Sequence, residues 1–141
     1  MEHRTLAEVM TPQPIILNPA DTCIDAANAM MTHDIGCIVL AEEDGKLCGI
    51  VTDRDLVVRV MAAGRDPSVV SLGDVCWPHV VSLDSHATVD EAIRTMSECA
   101  VRRVPVVENG TPVGVVSLGD LAMERDPKSV LGRVSAAPPN N

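Results

Sequence analysis

Ala100-Val-Arg-Arg-Val-Pro-Val-Val-Glu-Asn-Gly-Thr-Pro-Val-Gly-Val-Val-Ser-Leu-Gly-Asp-Leu121 reads as a strand, a tight turn, a second strand and the start of a helix. Asn109-Gly110 supplies the positive φ angles of a two-residue type I′ hairpin turn, with apolar runs on either side. Val113 to Val116 has the length and composition of a strand. Ser117-Leu-Gly-Asp120 then has the hydroxyl-x-x-acid spacing that opens a helix. Arg102 and Arg103 stand on the way into the first strand, and Asp120 falls on the first turn of the helix.

The unit occurs twice, and internal repetition decides the architecture. Thr5-Leu-Ala-Glu-Val-Met10 matches Ser71-Leu-Gly-Asp-Val-Cys76, and Pro12 matches Pro78, 66 residues later. Asp25-Ala26 and Met30 match Glu91-Ala92 and Met96 at the same spacing. Beyond the hairpin the spacing is 65, so Gly45, Gly49 and Asp55 pair with Gly110, Gly114 and Asp120. One residue has been lost in the second hairpin loop, where length changes are tolerated. Gly49-Ile-Val-Thr-Asp-Arg-Asp-Leu56 therefore aligns with Gly114-Val-Val-Ser-Leu-Gly-Asp-Leu121.

Each copy predicts helix, strand, helix, strand, strand, helix. Thr5 and Ser71 cap a short helix, with Glu8 and Asp74 at the third position, and Pro12 and Pro78 end it. Pro14 to Leu17 and Val80 to Leu83 are extended. The next helix buries Cys23, Ala26, Ala27, Met30 and Met31 in copy one, and Val89, Ala92, Ile93, Met96 and Ala100 in copy two. Cys37 to Leu40 and Val104 to Val107 are strands, turned back by Asp44-Gly45 and Asn109-Gly110 into Leu47–Thr52 and Pro112–Ser117. A last helix follows, with Leu56, Val57 and Val60 apolar in copy one. Pro105 suggests a sheet edge or a bulge, because it cannot donate to the ladder. Repeat one is placed at 5–64 and repeat two at 71–134. A linker spans 65–70, Leu131 to Val134 form one last helical turn, and 135–141 make a frayed tail. The fold class is α/β: two βαββα-like units, packed sheet against sheet as a pseudo-twofold pair.

Composition narrows the functions. The chain has 141 residues, 46% of them hydrophobic, with no Phe or Tyr and Trp77 as its one aromatic. The core is aliphatic and rich in Met. The formal charge of −9 opposes general binding to nucleic acid, which depends on neutralising phosphates. Lack of aromatics removes the stacking platform that single strands need. Lys46 and Lys128 are the only lysines among 11 basic residues, and arginine is favoured where a planar fork grips carboxylate or phosphate. Met1-Glu-His-Arg leads into a helix-like segment rather than an apolar signal core, and no run approaches spanning length. The reading is a cytoplasmic protein with no membrane partner. Cys23, Cys37, Cys48, Cys76 and Cys99 make an odd set without a C-x-x-C, so reduced, packed thiols are expected. Cys37 and Cys48, paired through one hairpin, are the candidate redox pair.

Thr52-Asp-Arg-Asp55 and Ser117-Leu-Gly-Asp120 admit two readings. One is a capping box, hydroxyl at N-cap and acid at N3. The other uses the same geometry for a ligand. A helix N-terminus after a strand offers free N–H groups to phosphate, and a nearby acid can accept from ribose hydroxyls. Spacing cannot separate these roles. Strand alternation sends Arg102 and Arg103 to opposite faces, so one of them can reach a phosphate beside Ser117 and Asp120. Copy one has Gly36 and Cys37 there, so its charge must come from Arg54 or elsewhere, and the two sites are not equivalent. His3, His33, His79 and His86 are scattered, and Trp77 reads as a hydrophobic anchor beside Pro78. No Ser-His-Asp order, zinc spacing or glycine-rich phosphate loop with Lys is present, so the reading is not an enzyme.

The doubled unit resembles a tandem cystathionine-β-synthase (CBS) domain pair, or Bateman module. The resemblance rests on Val9-Met-Thr-Pro12, Ile35-Gly-Cys-Ile-Val39, Val101-Arg-Arg-Val-Pro-Val106 and the two Gly-h-h-[Ser/Thr]-x-x-Asp segments. It covers nearly the whole chain, and within the family it is similar to small stand-alone bacterial pairs, including the hypoxic-response type. The resemblance implies a non-enzymatic module that binds adenosine-containing ligands (AMP, ADP or ATP, sometimes S-adenosylmethionine or NAD) in clefts between the copies. Such a module senses energy or stress state and needs no other cofactor. It implies ribose held by Asp55 and Asp120, phosphate near Thr52 and Ser117, and Arg102 and Arg103 as the basic pair. Met10, Thr11, Ile15, Ile16 and Gly36 would wall the Asp120 site; Cys76, Val80, Val81 and Arg102 would wall the Asp55 site. A disc-like homodimer and a downstream protein partner are also implied. The family's strand proline is present as Pro105 but replaced by Val39 in copy one, which makes Asp120 the stronger site. The alternative is a ligand-free structural or protein-interaction module.

Overall fold

A computed structural model describes residues 4–77, 79–126 and 128–137. Pro78 and the last four residues of the expected tail lie outside the described residues. The chain divides into two compact units, and the division does not follow the order of the repeats. One unit holds the chain up to Gln13, then Val81–Asn109, then Val113 onward; the other holds Pro14–Val80 with Gly110–Pro112. We call them the Asp120 unit and the Asp55 unit. The leading segment of each copy thus belongs to the body of the other copy.

The Asp120 unit begins with α1 (Leu6–Val9) and β1 (Thr11–Pro12). It resumes with β5 (Leu83–Asp84), α4 (Val89–Cys99), β6 (Arg103–Glu108), β7 (Thr111–Ser117), α5 (Leu118–Arg125) and α6 (Val130–Ala136). Its sheet runs β1-β7-β6-β5, with β1 antiparallel to β7 and β5 parallel to β6. Asn109 and Gly110 take φ of 52° and 80°, the left-handed pair that a type I′ turn requires. Leu6, Val89, Ala92, Met96, Val104, Val106, Val116 and Leu121 form the core. β1 and α1 are there because Leu6 is fully buried in that cluster.

The Asp55 unit contains β2 (Ile16–Leu17), α2 (Cys23–His33), β3 (Cys37–Ala41), β4 (Leu47–Thr52) and α3 (Asp53–Asp55). A π-helical turn, Leu56–Met61, and a 3₁₀ turn, Leu72–Asp74, complete it. Its sheet runs β2-β3-β4, and a single bridge from Ile50 to Trp77 extends it where β1 extends the other sheet. The core gathers Cys23, Ala26, Met30, Ile38, Leu40, Val51 and Val60 with Val70, Leu72 and Val75.

Several sequence expectations are corrected. α1 ends at Val9 because Met10 is already extended, so Pro12 is a strand residue and not the helix stop. Ser71 makes no side-chain cap, since only a 3₁₀ turn follows it. The buried stripes are narrower than expected: Met31 is 76% exposed, Ile93 40%, and Ala100 sits past α4 in a left-handed C-cap. Val57 is exposed because the π-helical pitch turns it away from the core that Val60 enters. Pro105 lies in an interior strand, but one residue before β5 begins to pair at Val106, so β6 is locally an edge on that side where the proline stands. Residues 65–70, read as the linker, pack on the start of α2: Val70 is buried, and the Pro67 and Val70 carbonyls accept from Ile24 and Cys23. Cys37 faces Thr52 at one end of the hairpin and Cys48 lies at the other, so they form no disulfide.

Candidate functional site

Both strand-to-helix turns form the same capping box. In the Asp120 unit the Asp120 N–H donates to Ser117 Oγ at 3.1 Å, and the Ser117 N–H donates to Asp120 Oδ2 at 2.9 Å. The next N–H, of Leu118, donates to the Arg102 carbonyl at 2.8 Å. Arg102 is thereby fixed beside the turn by its backbone. The Arg102 and Arg103 side chains are exposed, and among the described residues no carboxylate pairs with either. Asp120 is half-buried, and its Oδ1 has no partner among the described residues. Thr11 is exposed and faces Val115 two residues before Ser117 on β7. Met10 packs over Gly114, where an added Cβ would stand 2.4 Å from the Met10 sulfur. The structure therefore brings together Met10, Thr11, Arg102, Arg103, Ser117 and Asp120.

The Asp55 unit repeats the turn with a different outcome. Thr52 donates both its N–H (2.8 Å) and its Oγ–H (3.0 Å) to Asp55 Oδ2, and accepts the Asp55 N–H at 3.3 Å. Gly36 carbonyl takes the Asp53 N–H at 3.0 Å, as Arg102 does in the other copy. Asp55 Oδ1, however, is occupied: the Trp77 indole N–H donates to it at 3.0 Å. Arg59 lies over the indole, 4.0 Å from its centroid, with Nε 3.8 Å from Oδ1 and Nη1 donating to the Val75 carbonyl at 3.2 Å. Asp55 is only 4% exposed. Arg54 is exposed and its N–H is turned to Asp53. Ile15, Ile16, Gly36, Cys76 and Val80 belong to this unit with Asp55, whereas Val81 and Arg102 belong to the Asp120 unit.

Reading Trp77 as an apolar anchor missed its polar role. The indole is half exposed, and its N–H fills an acceptor on a buried carboxylate, which is the usual way a partly buried Trp satisfies its donor. The available signal was positional: the single aromatic stands 66 residues after Thr11, at the same place in its repeat. Arg59 gave no sequence signal.

Other groups are less organised. His33, His79 and His86 are exposed, and His3 lies outside the described residues. Among the described residues no cluster of three or more His, Cys, Asp or Glu is arranged to hold a metal ion. Burial pushes the Cys48 thiol up to about 11, and also raises Cys23 and Cys76. An open groove of about 440 Å³ between α4 and α5 is lined mainly by Ile93, Met96, Ala100, Arg102, Leu118 and Leu121. It is apolar and lacks Asp120, so it is not the carboxylate site. Among the described residues no helix is long and apolar enough to cross a membrane.

Comparison with known proteins agrees with this doubled architecture. The CBS domain family model matches residues 6–62 and 72–126. Hypoxic response protein 1 of Mycobacterium tuberculosis (strain ATCC 25618 / H37Rv) is 34% identical over 134 residues, covering 90% of this chain and 94% of that protein. CBS domain-containing protein YhcV of Bacillus subtilis is 34% identical over 121 residues, covering 86% and 85%. Among solved structures, Hypoxic Response Protein I with two coordinated zinc ions superposes with a TM-score of 0.78 at 34% identity, covering 84% of this chain and 97% of that one. The CBS domain pair of protein MJ0100, in complex with 5′-methylthioadenosine and S-adenosyl-L-methionine, gives 0.80 at 22% identity, covering 91% and 100%, a likeness of fold. With both copies matched by one family model, and relatives aligned over most of its length, this chain belongs to the CBS domain family and is a CBS pair.

Proposed function

We propose that this CBS pair is a non-catalytic regulatory module that binds an adenosine-containing ligand of the AMP, ADP or ATP class at Ser117 and Asp120. The observation that carries the reading is the half-used carboxylate of Asp120. One oxygen holds the turn through the Ser117 N–H, and the other has no protein partner among the described residues. A ribose hydroxyl can donate to that oxygen without disturbing the cap, so cap and ligand site are compatible in one residue. Arg102 and Arg103, exposed beside it, supply the positive charge that a phosphate requires in a chain of net charge −9. The first turn of α5 adds its N-terminal dipole. The adenosine compounds held by the CBS pair of MJ0100 support the reading at the level of the fold. Occupancy would be passed to a protein partner or to a second copy of the chain in a homodimer.

The test is calorimetric titration of AMP, ADP, ATP, S-adenosylmethionine and NAD into the wild-type protein and Asp120→Ala. At least one ligand is expected to bind. Its affinity in the variant should fall by about tenfold or more, the equivalent of one hydrogen bond to a charged group. An Asp120→Ala protein that binds as tightly as wild type would overturn the assignment. Flat heats for all five ligands would favour a ligand-free interaction module.

A further inference from the structure

We propose that Trp77 and Arg59 close the Asp55 carboxylate to nucleotide, so that this chain presents one working nucleotide site instead of two. The inference rests on reading the hydroxyl-x-x-Asp turn as a nucleotide site, and adds which of the two turns can serve.

Equivalent positions of the two copies carry the argument. Thr11 bridges to Val115 on β7, and Trp77 bridges to Ile50 on β4, the corresponding residue one repeat earlier. The Trp77 N–H donates to the Ile50 carbonyl at 3.3 Å, so its backbone is tied to the sheet as that of β1 is. The side chain at this position differs. With threonine there, no described residue donates to Asp120 Oδ1, whereas the indole reaches Asp55 Oδ1 and donates to it. The second difference is at position 59, whose counterpart in the second copy is Glu124. Glu124 turns away to Arg4 at 2.8 Å. Arg59 instead lies flat on the indole and is anchored behind it by the Val75 carbonyl. The carboxylate thus has Thr52 on one oxygen and Trp77 on the other, with the cation over the ring.

The donor that Trp77 offers is of the same kind as a ribose hydroxyl: one N–H directed at one carboxylate oxygen. A nucleotide can reach Asp55 only after that bond breaks and the ring leaves the guanidinium. No comparable step precedes binding at Asp120. The closure is built from residues of the Asp55 unit alone.

The experiment is calorimetric titration of AMP into the wild-type protein, Trp77→Thr, and Trp77→Thr combined with Asp120→Ala. Trp77→Thr gives the first copy the residue that the second copy carries. Wild type is expected to bind one equivalent without a change in Trp77 emission. Trp77→Thr is expected to bind two, and the double variant to keep one. If wild type binds one equivalent and Trp77→Thr also binds one, the closure is wrong while the Asp120 reading stands. If wild type binds none and Trp77→Thr binds one, the closure stands and the Asp120 reading falls. Two equivalents in wild type overturn the closure, and none in either protein with AMP, or with ADP, ATP, S-adenosylmethionine or NAD in its place, overturns both. Should Trp77→Thr fail to fold by circular dichroism, Trp77→Val, which removes both the donor and the ring, takes its place. It too must gain the second equivalent, and failure to do so counts against the closure.

Discussion

At Gly114 an added Cβ would stand 2.8 Å from the Thr11 carbonyl oxygen as well as 2.4 Å from the Met10 sulfur. The methionine could move aside, but the backbone of β1 could not without leaving β7. Gly114→Ala is therefore expected to cost about 1–3 kcal/mol, the usual penalty of overpacking, read as a lower urea midpoint at unchanged slope. The equivalent Gly49 faces Cys76 Sγ at 3.0 Å, a side chain that can yield, so Gly49→Ala should cost less. The cysteines separate in the same residue-by-residue way. Cys99 is exposed, whereas Cys23 is 1% exposed and has its thiol raised by burial. Titration with a disulfide reagent in native buffer should modify Cys99 first, and Cys23 only when the protein unfolds.

Among the elements, the short leading helices matter more than their length suggests. Leu6 in α1 and Leu72 in the 3₁₀ turn are equivalent residues, and each is fully buried in the core formed by the other copy's strands and helices. Leu6→Ala or Leu72→Ala should each cost about 2–5 kcal/mol, measured by denaturant unfolding, because a cavity opens in a packed cluster. Helix caps provide a sharper contrast. Ser117 accepts the Asp120 N–H, and Ser117→Ala should cost about 0.5–2 kcal/mol. Ser71 accepts no such bond, so Ser71→Ala should be close to neutral. Hydroxyl-x-x-acid spacing is the same in both segments, and the difference arises only because an α-helix follows Ser117 and a single 3₁₀ turn follows Ser71.

For the molecule as a whole, pH sensitivity has two limbs. Hydrogen bonds to the carboxylates hold Glu8 (from the Thr5 backbone), Asp66 (from Ser68) and Asp84 (from the His86 backbone) below their ordinary values of 4.5, 3.8 and 3.8. In the unfolded chain these groups take up protons first, so their contribution is present above those values and is lost as pH falls through the lower folded ones. At the alkaline end the sign reverses. The Cys48 thiol, raised from 9.0 to about 11, keeps its proton longer when folded, so stability should fall as pH rises from 9 toward 11. Melting temperature followed across both limbs checks the two signs, and Cys48→Ser should make the alkaline one shallower, with Cys23 and Cys76 left to contribute in the same direction. A bound nucleotide should raise the melting temperature less in Asp120→Ala than in wild type, since about 100-fold excess over Kd adds about 2.7 kcal/mol to the folded state and a tenfold weaker site adds only about half of that.

Local chemistry was enough to establish the duplication, the Asn109-Gly110 hairpin, the β4 boundaries and the two capped turns, because turn φ angles, strand alternation and cap spacing depend on neighbours in sequence. Membership of the CBS family was legible for the same reason: its motifs are short and repeat in register. What sequence order could not determine was which body each leading segment joins, because the pairing of Thr11 with Val115 and Trp77 with Ile50 is long-range and backbone-mediated. Sequence ranked the Ser117 turn above the Thr52 turn through Arg102, Arg103 and Pro105, but it gave no sign of what occupies each carboxylate, since Trp77 and Arg59, against Thr11 and Glu124, meet it or turn away from it only in three dimensions. Tertiary structure alone decided that one aspartate has both oxygens engaged and that the other, among the described residues, uses only one.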